Sequence, residues 1–158
     1  VVDATIKIDR PAPYADLDVV IAFDGEIGGI SDAGSLRGFA VGVKAGDACV
    51  DYLRGHGVDQ LRPYPSYQEM VRAGTRGELK VFCIDKPPAS YLLYQAGLER
   101  RFRFSKALFK GQFHRAVKEG DQAMLGLVER GFDRFRDDEV AAIRDKWLGS
   151  EIVPPWRN

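Results

Sequence analysis

The chain repeats a unit in which a short apolar run, rich in β-branched residues, is followed by a segment with helical spacing. The clearest runs are Leu17–Phe23, Phe39–Lys44 and Leu79–Ile84. Runs of this length and composition predict buried strands. A Gly-rich stretch, Gly25–Gly38, follows the first run, and helices are predicted after the other two. Strands that alternate with helices predict an α/β domain with a mostly parallel sheet flanked by helices.

Polar residues at the ends of these strands predict where the helices begin. Asp47 is suited to be the N-cap of a helix that reaches about Arg54. Ser66 and Glu69 match the capping-box pattern of a second helix. Asp85 precedes Lys86-Pro87, which places proline in the first turn of a third helix.

The pattern changes in the last third of the chain. Two strands are predicted around a turn at Lys110-Gly111, and Asp121 is predicted to cap a helix. A terminal helix from about Asp138 to Leu148 precedes an irregular tail over residues 150–158. The side chains expected on the inward face of the helix after Asp121 are Met124, Leu125, Leu127, Val128 and Phe132.

Composition and charge narrow the function classes. Lys plus Arg and Asp plus Glu both total 23, and this zero net charge argues against a nucleic-acid binder. The locally basic segment Glu99–Arg103 is interpreted as a solvated strand edge or turn, with a phosphate-binding patch as the alternative. No apolar run approaches the roughly 18 residues of a membrane span. The first residues alternate as a strand, so no signal peptide is expected.

Few residues are suited to metal or redox chemistry. His56 and His114 are far apart and have no Cys or carboxylate at ligand spacing, so no metal site is predicted. His56, between two glycines, is expected in an exposed loop, and His114 in a strand. No nucleotide or cofactor fingerprint is present, and no cofactor is expected. Cys49 and Cys83 either form a disulfide or are small buried apolar groups.

Four segments, in this order, resemble conserved stretches of the type 2 periplasmic solute-binding proteins of the amino-acid type, family 3. They are Ser35–Asp47, Gly77–Pro87, Phe113–Asp121 and Ile143–Gly149. The segment Phe82–Ala89 also resembles the sensory versions of this domain, which lie ahead of diguanylate cyclase or histidine kinase modules. The resemblance covers roughly Leu17 to Gly149.

The resemblance implies two lobes that are joined by hinge strands and close on a ligand. The whole chain, 1–158, is then one solute-binding domain with one lobe complete and the other partial. The second lobe and its hinge strand are expected over about 19–104. The hinge and the partial first lobe are expected over 1–18 and 105–149.

The candidate ligand-binding residues lie where strands turn into helices. In the loop Gly46-Asp47-Ala48, backbone N–H groups and the helix dipole form an anion site. Asp85 follows a strand directly, and the resemblance implies that it accepts hydrogen bonds from a ligand ammonium. For Asp47 and Asp85 the alternative role is a plain helix N-cap. Two acids facing one cleft favour a cationic or amine-bearing ligand.

Two further residues enter through the resemblance alone. Arg10 corresponds to a first-lobe arginine that clamps carboxylates in bidentate geometry. Tyr14, next to the hinge strand, is either an aromatic wall of the cleft or a packing residue.

The expected function is extracytoplasmic or periplasmic binding of a small polar or amine-bearing solute, as the ligand-sensing domain of a membrane-anchored signalling protein. One alternative is the substrate-binding receptor of an ABC uptake transporter for amino acids or amines. The domain itself is expected not to be an enzyme. The other alternative, a periplasmic dehydratase-like enzyme, requires a general acid or base in the cleft, and Asp85 is the candidate.

Overall fold

A computed structural model describes residues 8–9, 15–113 and 117–148 of the chain. Its α-carbon contacts divide the chain into two compact units. Unit 1 comprises Val1–Ala15 and Gln112–Asn158, and unit 2 comprises Asp16–Gly111.

Strands and helices follow one another along the chain much as the sequence predicts. The strands are β1 (Ile8–Asp9), β2 (Ala15–Asp24), β3 (Val41–Lys44), β4 (Leu61–Tyr64), β5 (Val81–Asp85), β6 (Phe102–Phe104), β7 (Phe109–Phe113) and β8 (Val117–Lys118). The α-helices are α1 (Ala48–Gly55), α2 (Tyr67–Thr75), α3 (Lys86–Gln95), α4 (Gln122–Phe132) and α5 (Asp137–Leu148). A short 3-10 helix, Ala33–Leu36, lies between β2 and β3.

The larger sheet has the strand order β4-β3-β5-β2-β6, and β7 also pairs with β2. β3 is parallel to both β4 and β5, because helices α1 and α2 provide the crossovers that parallel strands need. β2 runs antiparallel to β5, with Val19 opposite Asp85, and antiparallel to β6. The α/β class with helices around a sheet is confirmed. The parallel arrangement holds for β3, β4 and β5, and β2 makes the sheet mixed.

Both faces of this sheet are buried, and β2 shows why. Val19 and Ile21 point to one face, where they join a core that includes Leu53 of α1. Val20 and Ala22 point to the other face and join a core built with α2 and α3. Successive side chains of a strand face opposite sides, so the continuous apolar run of β2 supplies both cores.

Helix α4 begins as predicted but is exposed where an inward face was expected. Asp121 is its N-cap and accepts a hydrogen bond from the Met124 amide at 3.0 Å. Met124, Leu127 and Phe132 are nevertheless 46%, 59% and 47% exposed, and no described side chain of α4 is buried. The prediction of an inward face was therefore wrong. Among the described residues of unit 1, the strands β1 and β8 pair over only two residues each, too short a surface to cover the helix.

A second correction concerns the end of unit 2. Lys110-Gly111 lies inside β7 and is not a turn. Between β6 and β7 the Ser105 amide donates to the Ile21 carbonyl and the Leu108 amide to the Val19 carbonyl, so the two strands pair with β2 one after the other along its length. Gly111 remains in the strand because β7 pairs with β2.

Within the ranges 8–9, 15–113 and 117–148, no helix is both long and apolar enough to cross a membrane. Predictions for His114 and for the tail 150–158 concern positions outside the described residues.

Candidate functional site

Three parallel strands end at one edge of the sheet and bring their following helices together there. β3 ends at Lys44, β4 at Tyr64 and β5 at Asp85. Helices α1, α2 and α3 begin within four residues of these strand ends. Open α/β sheets place ligands at this carboxyl edge, where backbone N–H groups of the helix starts are available.

The loop between β3 and α1 is a tight turn that presents Asp47. Gly46 has a φ of +75°, a conformation that favours glycine. Asp47 is the N-cap of α1, and its Oδ1 accepts a hydrogen bond from the Cys49 amide at 3.4 Å. Ala48 is the first residue of the helix and is exposed. The capping role of Asp47 is therefore confirmed, and its contact with a ligand stays a prediction.

Tyr67, the first residue of α2, connects this loop to the neighbouring helix. Its hydroxyl donates to Oδ2 of Asp47 at 2.6 Å, so both carboxylate oxygens of Asp47 have donors. Burial raises the pKa of Tyr67 far above its usual value, and the hydrogen bond to Asp47 and the negative charge of Asp85 raise it further. The phenol thus keeps its proton and acts as a donor between the two acids.

Asp85 lies at the same edge, and its side chain has fewer hydrogen bonds than that of Asp47. It occupies the N-cap position of α3, and its side chain makes no capping hydrogen bond within the described part of the chain. Partial burial raises its pKa, and the charge of Asp47 raises it further, while a hydrogen bond from Tyr67 and the charge of Lys44 lower it. A half-buried carboxylate of this kind gains from a cationic partner.

Lys44, the last residue of β3, adds a positive charge to the two acids. Its Nζ lies 5.2 Å from the centre of the Tyr67 ring, within the range of a cation–π contact. The side chains of Lys44, Asp47, Tyr67 and Asp85 therefore form one group, here called the edge cluster. It contains two carboxylates and one ammonium, so it attracts positive charge.

A disulfide lies directly behind the edge cluster. Cys49 and Cys83 are paired with a Cα–Cα distance of 6.5 Å, and both side chains are buried. Cys49 follows Asp47 by two residues, and Cys83 precedes Asp85 by two residues. The bond therefore joins the two segments that carry the acids, and of the two alternatives open from the sequence the disulfide is the one found.

The structure brings together only part of the residue set predicted from the sequence. Gly46, Asp47 and Ala48 share one edge of the sheet with Asp85. Arg10 and Tyr14 lie outside the described residues and stay predictions.

Lys44 and Tyr67 were missed as site residues, and Tyr67 has two roles. The ring does pack beside the core of α2, but its hydroxyl reaches Asp47. The signal was available, because both residues flank strands whose carboxyl ends meet in a parallel sheet.

The basic segment Glu99–Arg103 is used for structure in unit 2. Arg101 donates from Nε to Oδ2 of the buried Asp24 at 2.9 Å, and the Glu26 amide donates to Oδ1. This pairing supports the interpretation of the segment as a turn at a strand edge.

His56 is exposed, as predicted, and its ring stacks on Tyr52. Across the described ranges, no group of three or more His, Cys, Asp or Glu residues is placed to hold a metal ion.

Comparison with known proteins gives matches among solved structures. No protein-family model matches the chain, and no curated protein matches it. A histidine kinase sensor domain with similarity to periplasmic binding proteins is 24% identical, with a TM-score of 0.75 over 90% of this chain and 63% of its own. An ancestral arginine-binding protein bound to glutamine is 20% identical, with a TM-score of 0.75 over 90% of this chain and 64% of its own.

A third solved structure has the same architecture. The ligand-binding core of GluR0 in complex with L-glutamate is 15% identical, with a TM-score of 0.78 over 92% of this chain and 66% of its own. The chain thus spans about two thirds of the length of these structures or slightly less. At such identities the likeness establishes the fold. The chain has the type 2 periplasmic-binding-protein fold that its sequence motifs predicted.

Proposed function

We propose that this chain binds a small, amine-bearing polar solute at the edge cluster and acts as the extracytoplasmic ligand-sensing domain of a membrane signalling protein. The observation that carries the proposal is the half-buried carboxylate of Asp85. It lies beside a second acid, Asp47, at the carboxyl edge of three parallel strands. The domain acts by binding and not by catalysis.

The edge cluster favours a ligand with a positive group. Asp47 already accepts two hydrogen bonds, from the Cys49 amide and the Tyr67 hydroxyl. Asp85 does not use its carboxylate to cap its own helix within the described residues. An ammonium or guanidinium that reaches Asp85 forms a charge-assisted hydrogen bond and relieves the repulsion between the two acids.

The proposed location outside the cytoplasm is supported by the disulfide. Disulfides persist in oxidising compartments such as the periplasm and are rare in the reducing cytosol. The buried disulfide between Cys49 and Cys83 therefore supports a location in an oxidising compartment.

The sensor role is preferred over a transport receptor on two grounds. The segment Phe82–Ala89 resembles sensory versions of the domain. A histidine kinase sensor domain is among the solved structures with the same fold. The arginine-binding proteins in the same comparison support the receptor role as the second candidate. A membrane span and a signalling module encoded in the same reading frame as this chain would favour the sensor role over the receptor role.

The binding proposal is tested by thermal shift and isothermal titration calorimetry with L-arginine, putrescine and L-glutamate. A ligand at a hundredfold its Kd stabilises the folded state by about 2.7 kcal/mol, which raises Tm by about 5 to 11 °C for a protein of this size. We expect shifts with L-arginine or putrescine and a smaller shift, or none, with L-glutamate.

Variants locate the site. Asp85→Asn is expected to abolish the shift with either cation, whereas Asp59→Asn keeps it. Asp59 is exposed and precedes the amino end of β4, at the opposite edge of the sheet, so its variant removes the same charge away from the site. Because the pKa of Asp85 is raised in the folded state, Asp85→Asn is expected to fold at least as stably as the wild type. A full shift in Asp85→Asn contradicts the site, and no shift with any amine contradicts the function.

A further inference from the structure

Lys44 has a position in the edge cluster that resembles that of a bound cation. It is the last residue of β3, its side chain is exposed, and its Nζ lies 5.2 Å from the centre of the Tyr67 ring. The hydroxyl of the same ring donates to Asp47 at 2.6 Å. One aromatic ring therefore contacts the ammonium with its face and an acid with its hydroxyl.

The charge of Lys44 also acts on Asp85. It lowers the pKa of that carboxyl, against the effects of burial and of Asp47, which raise it. Lys44 thus supplies part of the positive charge that the two acids require when no ligand is present. Its long and flexible side chain costs little to displace, because the ammonium can return to water.

We propose that Lys44 is a tethered counter-cation, which neutralises the edge cluster in the ligand-free protein and competes with the cationic group of an incoming ligand. This inference rests on the proposed function, since it concerns the specificity of the same site. A ligand must displace the ammonium from the Tyr67 ring and from the field of Asp85. Lys44 thereby lowers the affinity for amines that do not replace its contacts.

Putrescine is the decisive probe, because it carries ammonium groups and no carboxylate. Calorimetry compares the wild type with Lys44→Gln and with the matched control Lys80→Gln. Lys80 is exposed and immediately precedes β5, at the amino end of that strand, so its variant changes the net charge equally away from the edge cluster.

The cation–π contact of Lys44 competes with the ligand. Its loss in Lys44→Gln is therefore expected to make putrescine binding roughly two- to fivefold tighter. In Lys80→Gln we expect a smaller change. An unchanged or weaker affinity in Lys44→Gln overturns the inference. Weaker binding of L-arginine, together with weaker binding of putrescine, would instead show that Lys44 holds the ligand.

A measurement without ligand separates failure of the inference from failure of the proposed function. The pKa of Asp85, followed by NMR of its carboxyl carbon, is expected to rise in Lys44→Gln and to stay constant in Lys80→Gln. An unchanged pKa in Lys44→Gln overturns the counter-cation role. If neither the wild type nor Lys44→Gln binds any amine, the proposed function fails and the inference fails with it. If the wild type binds and Lys44→Gln binds equally, only the inference fails.

Discussion

The disulfide between Cys49 and Cys83 closes a loop of 34 residues within unit 2, and its removal has a calculable cost. A cross-link stabilises a protein mainly by restricting the unfolded chain, and the restriction grows with the logarithm of the loop length. For this loop the chain-entropy relation gives about 3.8 kcal/mol at 25 °C. That is a large share of the 5–15 kcal/mol that typical domains possess.

Urea unfolding followed by far-UV circular dichroism measures this contribution, with the wild type in the presence and absence of a reductant. At an m-value of about 2 kcal/mol/M, reduction is expected to lower the midpoint by about 2 M. The double variant Cys49→Ala/Cys83→Ala provides the control, because its midpoint should not respond to the reductant. A loss below about 1 kcal/mol on reduction of the wild type would refute the loop-entropy reasoning for this protein.

Two further predictions concern unit 2. Asp24→Asn is expected to lower the free energy of unfolding by roughly 1.5–3 kcal/mol. The loss is smaller than for a fully buried ion pair, since the partner Arg101 is 40% exposed. The hydrogen bond from the Glu26 amide and the interactions with Arg101 lower the pKa of Asp24, so its contribution is present above about pH 4 and is lost as pH falls through the lowered pKa. Gly42→Ala is expected to lower the free energy of unfolding by roughly 1–3 kcal/mol, because the added Cβ would lie 2.5 Å from Cδ2 of the buried Leu79.

Both predictions are checked by urea unfolding. For Asp24→Asn, the difference from the wild type should shrink between pH 7 and pH 3, and a constant difference would contradict the pKa argument. Gly55→Ala is the control for Gly42→Ala, because Gly55 ends helix α1 and a Cβ there meets no atom of the described residues within 4 Å. Equal destabilisation by the two glycine substitutions would argue against the packing explanation.

Local signals in the sequence were sufficient to predict the starts of the helices. Asp47, Ser66 and Asp121 each accept a hydrogen bond from an amide two or three residues later. Such caps depend on neighbouring residues alone, and the same is true of the apolar runs that form β2, β3 and β5. The order of strands and helices followed from these signals.

Contacts between distant residues were harder to predict. The hydrogen bond from Tyr67 to Asp47 spans 20 residues, and the disulfide spans 34. The sequence left both a disulfide and two separate buried cysteines open, because the choice depends on how closely α1 and β5 pack. Helix α4 illustrates the same limit, since helical periodicity defines an apolar face but not what covers it.

The sequence alone determined the α/β class, the fold and the edge of the sheet where Asp47 and Asp85 lie. Strand and cap signals are local, and the carboxyl ends of parallel strands must meet at one edge. Only the tertiary structure decided that Lys44 and Tyr67 complete the edge cluster and that a disulfide supports it. Those contacts depend on strand register and helix packing, which set distances between residues that are far apart in the chain.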